Sequence, residues 1–158
     1  FMVRCKSTTR LFSIKKFIIL TQTDTTVGLL SQDDKQLYSI KSRDTKKPFI
    51  KVLCNFKTLT NLNYRIPQDK KNLVRRAKKT TFVVKNKAFR VTAHKLNSQI
   101  LRNLPWSYST SANLSGKHFD RVFCEDKADI IIENSYGLKE NSSSKLLKLG
   151  HKKIRKLR

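Results

Sequence analysis

The chain has 158 residues, with 35 Lys and Arg against 11 Asp and Glu, for a formal net charge of +24. That length supports one domain with a core of its own and leaves no room for two comfortable ones. No apolar run approaches the ~20 residues of a membrane span, and the isolated cysteines Cys5, Cys54 and Cys124 offer neither a C-x-x-C zinc site nor a disulfide framework.

So large a cationic excess favours a polyanionic partner, because Lys and Arg release counterions from a phosphate backbone. A Lys-rich solvated surface is the plainer reading of the same composition. Unpaired thiols fit a reducing compartment, which makes a cytoplasmic protein the expectation. An organellar one is the alternative if the opening residues are a presequence. The opening "FMVRCKSTTRLFSIKKF" is basic and hydroxylated, and the first carboxylate is Asp24. We set residues 1–16 apart as an extension, disordered, a presequence or extraneous to the fold, and expect the domain to span 17–158.

In chain order, "FIIL" (17–20) reads as a short buried strand, followed by a turn in "TQTDTTVG". "DDKQLYSIKSR" places an acidic pair before Leu37 and Ile40 at helical spacing, which predicts a helix ending near Lys41. "FIKVLC" (49–54) is a strand candidate, and residues 56–73 are weakly helical and interrupted by Pro67. "TTFVV" (80–84) and "AFRV" (88–91) predict paired strands across a Lys-Asn-Lys turn. "NSQILRNL" (97–104) predicts a capped helix, "WSYST" a strand running into the loop "SANLSG", and "DIIIE" (129–133) another buried strand. The C-terminal segment after Glu140 has no acids but too many leucines for a solvated tail, so it reads as two edge strands around Gly150. Strands alternating with short helices give an α/β fold.

Three stretches can carry chemistry. "TQTDTTVGL" (21–29) clusters hydroxyls and one carboxylate before a glycine. "KSRDTKKP" (41–48) places a Lys and an Arg two residues apart, able to converge on an anion. "SYSTSANLSG" (107–116) is rich in hydroxyls, with no charge anywhere from Asn103 to Gly116. None of the three histidines sits in a Ser-His-Asp pattern; His94, His118 and His151 lie in separate polar contexts and read as surface residues.

Taken in order, "TDTTVGL", "IKSRDTKKP", "FRV" and "STSANLSG" resemble the YrdC-like family of threonylcarbamoyl-AMP synthases, from about Phe17 to the C-terminus. The resemblance implies a single α/β domain, with a twisted, mostly mixed sheet and helices around a basic cavity. It implies condensation of L-threonine, bicarbonate and ATP, assisted by Mg²⁺, into threonylcarbamoyl-adenylate with release of pyrophosphate. That product serves threonylcarbamoyladenosine modification of tRNA, so contact with tRNA or RNA and a partner transferase are expected, and no membrane. By matching position, Lys41 and Arg43 are the catalytic pair that holds nucleotide phosphates. Thr23, Lys47, Arg90, Ser109 and Ser144 fall on the threonine side; Ser111, Asn113 and Arg155 join Lys41 and Arg43 on the nucleotide side.

The chain departs from the family pattern at Gln22 (for Pro), Val27 (for Tyr), Lys47 (for His or Asn) and Phe119 (for a polar residue). "RRAKKTT" (75–81) replaces W-P-G-P-x-T and keeps only Thr81. A carbamoyl-transfer maturation domain of the same superfamily is disfavoured because its zinc-finger cysteines are absent. The alternative of a different class is a non-catalytic RNA-binding module that uses the same basic fold, although it shows no aromatic RNP motif or GXXG loop.

Overall fold

Ile18, Ile19 and Leu20 form an apolar run without helical period, and the structure uses it to enter a sheet buried on both faces. A computed structural model describes residues 2–5, 16–42, 47–92, 104–114 and 116–158. Within them ten strands form one sheet: β1 (Met2–Cys5), β2 (Ile19–Gln22), β3 (Val27–Ser31), β4 (Ile50–Leu53), β5 (Thr80–Val84), β6 (Lys87–Val91), β7 (Trp106–Ser111), β8 (Ile130–Glu133), β9 (Lys145–Leu149) and β10 (Ile154–Lys156). The spatial order is β1-β8-β2-β3-β7-β4-β6-β5-β9-β10. The β8–β2, β4–β6 and β5–β9 pairs are parallel and the remaining pairs antiparallel, so the sheet is mixed.

Among the described residues four helices accompany the sheet: α1 (Asp34–Lys41), α2 (Phe56–Asn61), α3 (Lys71–Arg76) and α4 (Arg121–Lys127). The first begins where the acidic pair predicts, with the Asp33 carboxylate accepting from the Lys35 N–H at 3.0 Å. It stops at Ser42, whose left-handed φ of 45° ends the α-helical path. The β5–β6 hairpin turns through Lys85 and Asn86 at φ 44° and 63°, the pair of left-handed residues that a two-residue primed turn demands.

Opposed residues in register share a face, and this sorts the molecule into two sides. On one side Leu20, Val27 and Leu29 pack with Leu37 of α1 and Cys124 of α4, while Phe82, Phe89 and Leu53 pack with Leu59 of α2 and Val74 of α3. On the other side Ile19, Leu30, Val52, Leu104 and Ile130 form a smaller cluster. That second side also carries the hydroxyls of β7 and the guanidinium of β6, because Leu30 opposes Ser109 and Val52 opposes Arg90. Burial drives the Cys124 thiol up to about 11, as expected of an inert core thiol, and Cys54 is half-buried against the smaller cluster.

The structure corrects the sequence reading at two places, adds one helix that the sequence did not show and resolves one stretch in detail. The opening residues do not all stand apart from the fold: Met2–Cys5 pair antiparallel with Ile130–Glu133. The turn read into residues 21–28 closes within four residues, and Val27–Ser31 is a fully buried strand. Helix α4 carried no apolar stripe in the sequence because Val122 is 80 % exposed and Cys124 alone is buried. The weakly helical stretch of residues 56–73 resolves into α2, a 3₁₀ turn at Gln68–Lys70 and α3. The predicted helix over 97–104 falls almost wholly outside the described residues.

Candidate functional site

Gly28 opposes Ser111 and Ser109 opposes Ile50, while Thr81 opposes Leu146, so residues from β3, β7, β4, β5 and β9 meet on one sheet face. Together with Arg90 of β6 and the end of the β9–β10 hairpin, they enclose a cavity of about 480 Å³. Among the described residues, nine of the seventeen that line it are Ser or Thr, and the lining cations are Arg90 and Arg158, with no carboxylate. A wall of neutral hydroxyls opposite guanidinium groups suits an anionic ligand of mixed polarity, since it adds hydrogen bonds without like-charge repulsion.

Arg90 is 6 % exposed and held on several sides. Its Nη1 donates to Asp24 Oδ1 at 2.6 Å and to Thr25 Oγ1 at 2.9 Å, and Nε and Nη2 both donate to Thr81 Oγ1, at 3.3 and 3.2 Å. Asp24 therefore offsets the Arg90 charge by a short charge-assisted bond. The Thr81 hydroxyl in turn lies 2.9 Å from Ser144 Oγ. In the loop after β2, Thr23 Oγ1 donates to the Thr26 carbonyl at 2.6 Å, accepts from the Thr25 N–H at 3.2 Å and lies 3.2 Å from Thr25 Oγ1. With one hydrogen and two lone pairs, Thr23 is fully occupied inside this turn.

The loop after β7 is organised by Lys41. This side chain, 3 % exposed at the end of α1, donates from Nζ to the Ser111 carbonyl at 3.0 Å, to Asn113 Oδ1 at 2.6 Å and to the Asn113 carbonyl. Asn113 Oδ1 also accepts from Ser111 Oγ at 2.6 Å, and Asn113 Nδ2 donates to the Lys117 carbonyl. A buried ammonium surrounded by three oxygen acceptors satisfies the desolvated charge and pins the loop to α1. Gly28 is required beneath it. A Cβ there would stand 2.7 Å from Thr23 Cγ2 and 3.3 Å from the Thr110 carbonyl.

Of the residues expected at the site, Thr23, Arg90, Ser109, Ser111 and Ser144 line the cavity. Lys41 and Asn113 lie behind it, in the frame of the β7 loop, and not on the lining. Lys47 is exposed beside the lining residue Pro48, and its carbonyl accepts from Tyr38 Oη at 3.4 Å. Arg155 is exposed on the edge strand β10, while Arg158 reaches the cavity and donates to the Ser144 carbonyl at 3.4 Å. Arg43 and His94 lie outside the described residues; His118 and His151 are on the surface, as expected.

Sequence reasoning missed Asp24, Thr25 and Arg158 as partners in the site. The hydroxyl-rich run had marked the first two, but nothing local tied them to Arg90, 66 residues away. Val27 lines the cavity at the position of the absent tyrosine, Gln22 caps the Lys139 N–H through Oε1 at 2.9 Å, and Phe119 packs half-buried against the α1–α4 core.

A family model, Sua5/YciO/YrdC, described as telomere recombination, matches residues 14–158. No curated protein matches the chain in sequence. Among solved structures, the fold is similar to Sua5 of P. abyssi in complex with L-threonine, at 21 % identity and a TM-score of 0.75 over 90 % of this chain and 50 % of that one. It is also similar to YciO of E. coli, at 17 % identity and a TM-score of 0.71 over 91 % of this chain and 83 % of that one. HypF of T. kodakarensis, at 15 % identity and a TM-score of 0.73, is covered over 22 % of its length. The chain thus spans about half the length of the P. abyssi Sua5 chain and shares the fold of its matched part. The match over nearly the whole chain, with the mixed sheet and the hydroxyl-walled cavity, places this protein in the Sua5/YciO/YrdC family.

Proposed function

We propose that the cavity is an L-threonylcarbamoyl-adenylate synthase site, condensing L-threonine, bicarbonate and ATP for threonylcarbamoyladenosine modification of tRNA. The observation that carries this reading is the convergence of Arg90, Ser109, Ser111 and Ser144 on one cavity whose lining, among the described residues, adds no carboxylate. Family membership and the fold shared with a threonine-bound Sua5 support it.

In this reading the threonine amine attacks the bicarbonate carbon, a C–N bond forms as a C–O bond breaks and water leaves, and the carbamate carboxylate so formed attacks the α-phosphorus of ATP. A P–O bond forms, the bond to the β-phosphate breaks, and pyrophosphate leaves. The protein contributes positioning and fixed positive charge rather than a covalent nucleophile. Ser109 Oγ makes no hydrogen bond within the described residues and is open to ligand as donor or acceptor. Ser111 has given its hydrogen to Asn113 and presents lone pairs, so its ligand partner is a donor such as a ribose hydroxyl or an amine. Lys41 serves the nucleotide side by fixing this loop, and Arg43 is assigned to phosphate from the family pattern. The described residues include no group of three His, Cys, Asp or Glu able to cage a metal, so Mg²⁺ would arrive on the triphosphate. A partner transferase would receive the adenylate.

Titration calorimetry with L-threonine tests the assignment. Binding by the wild-type protein, weakened about 10-fold in Ser109→Ala through loss of a hydrogen bond to a charged ligand, is expected. Equal binding by both proteins would remove Ser109 from the site.

A second reading, an RNA-binding module, draws on one surface. Arg75, Arg76, Lys78 and Lys79 are exposed beside the exposed Lys145, Lys148, Lys152 and Lys153, and the two segments are joined where the Lys145 N–H donates to the Lys79 carbonyl at 2.9 Å. Such a surface binds phosphate backbones by charge, whether or not the cavity is active.

A further inference from the structure

Arg90 has five N–H groups, and four of them are committed: two on Nη1 to Asp24 and Thr25, and those of Nε and one of Nη2 to Thr81. One hydrogen of Nη2 remains. Arg90 therefore does not present a free two-pronged fork to a ligand carboxylate. The same hydrogens decide the direction of everything downstream. Thr81 Oγ1 receives two donors from Arg90, which occupy both of its lone pairs, so its own hydrogen goes to Ser144 Oγ at 2.9 Å. Ser144 Oγ is thereby an acceptor from Thr81, and its hydrogen has no acceptor among the described residues. Ser144 is 5 % exposed and lines the cavity, so that hydrogen faces the ligand space.

We propose that Asp24 and Thr81 are positioning residues: Asp24 fixes the Arg90 guanidinium, Arg90 sets the direction of the Thr81 hydroxyl, and Thr81 commits Ser144 to donate into the cavity. Ser144 then supplies a directed O–H to an anionic oxygen of the ligand, beside the one remaining Nη2 hydrogen of Arg90. The inference rests on the proposal that the cavity binds L-threonine, whose carboxylate is the acceptor. Its cause is charge and lone-pair capacity. A neutral residue in place of Arg90 would leave the Thr81 hydroxyl free to reverse, and Ser144 would lose its fixed polarity. Asp24 lies at 12 % side-chain exposure and outside the lining, so it acts through Arg90 and not on the ligand.

A double-mutant cycle on L-threonine affinity tests this. Ser144→Ala is expected to weaken binding about 10-fold, the size of one lost hydrogen bond to a carboxylate. Thr81→Val should weaken it several-fold in the wild-type background but by less than about 2-fold in the Ser144→Ala background. Thr81→Ser, which keeps the hydroxyl, should restore binding, a rescue that a merely structural role of the methyl group would not give. Asp24→Asn should weaken binding through Arg90 while leaving the order of these effects unchanged. Multiplicative effects of Thr81→Val and Ser144→Ala would overturn the relay while leaving threonine binding in place. A folded wild-type protein that binds no L-threonine would overturn the reading of the cavity and the relay with it.

Discussion

Gly28 shows how closely the site is built around single atoms. Its missing side chain lets Thr23 Cγ2 lie where a Cβ would be 2.7 Å away, and the Thr23 hydroxyl then closes the turn that sets Asp24 and Thr25 against Arg90. Gly28→Ala should destabilise the protein by about 1–3 kcal/mol through overpacking, read as a lower denaturation midpoint; an unchanged midpoint would show that the turn yields without strain. At this scale the sequence was informative about residue types and silent about direction. The hydroxyls and the FRV arginine were visible as motif members, and the neutral stretch 103–116 could be read as a ligand wall. Which hydroxyls are already committed depends on contacts across tens of residues. Thr23, a natural candidate for ligand contact, has its hydroxyl consumed by its own turn, whereas Ser144 keeps a donor free.

Elements were legible where local chemistry decides them. Helix α1 has its cap and its buried Leu37, and the β5–β6 hairpin has a Lys-Asn pair that accepts left-handed φ. Strand β3 was hidden because the hydroxyls before it dominate the pattern, and α4 because its one buried side chain leaves no stripe. Charge adds to the packing of Cys124 in fastening α4. Arg121 donates to Glu133 at 2.9 and 3.1 Å and to Glu125 at 2.7 Å, and Arg4 of β1 approaches both carboxylates at 3.3 and 3.4 Å. The Arg121 hydrogen bonds hold the Glu133 carboxyl below the usual carboxylate range, with Arg4 adding to the effect. A depressed carboxyl contributes stability that is present above its unfolded value and lost as pH falls through its folded value. The urea midpoint of Glu133→Gln should therefore lie below that of the wild type at pH 7, and the gap should narrow at pH 3. A gap of equal size at both pH values would mean that shape, not charge, joins α4 to the sheet.

At the scale of the whole molecule, register explains why one sheet face packs helices and the other holds the cavity. Both faces come from the same strands, two-residue alternation assigning Phe89 to the core and Arg90 to the site. The charge of +24 is spread differently from the chemistry. The α3–β5 connection and the β9–β10 edge carry exposed cations, while the cavity itself is lined by two arginines among hydroxyls. Net charge alone pointed equally to a polyanion binder and to a solvated surface, and the placement of Arg90, Ser109 and Ser144 around one space is what supports the proposed small-molecule site. The decisive measurement is ATP-dependent pyrophosphate release in the presence of bicarbonate, with and without L-threonine. Release stimulated by L-threonine, not by L-serine, and reduced at least 10-fold in Arg90→Ala is the expected result. A folded protein that releases no pyrophosphate under any of these conditions would contradict the synthase assignment and leave the basic surface as the functional one.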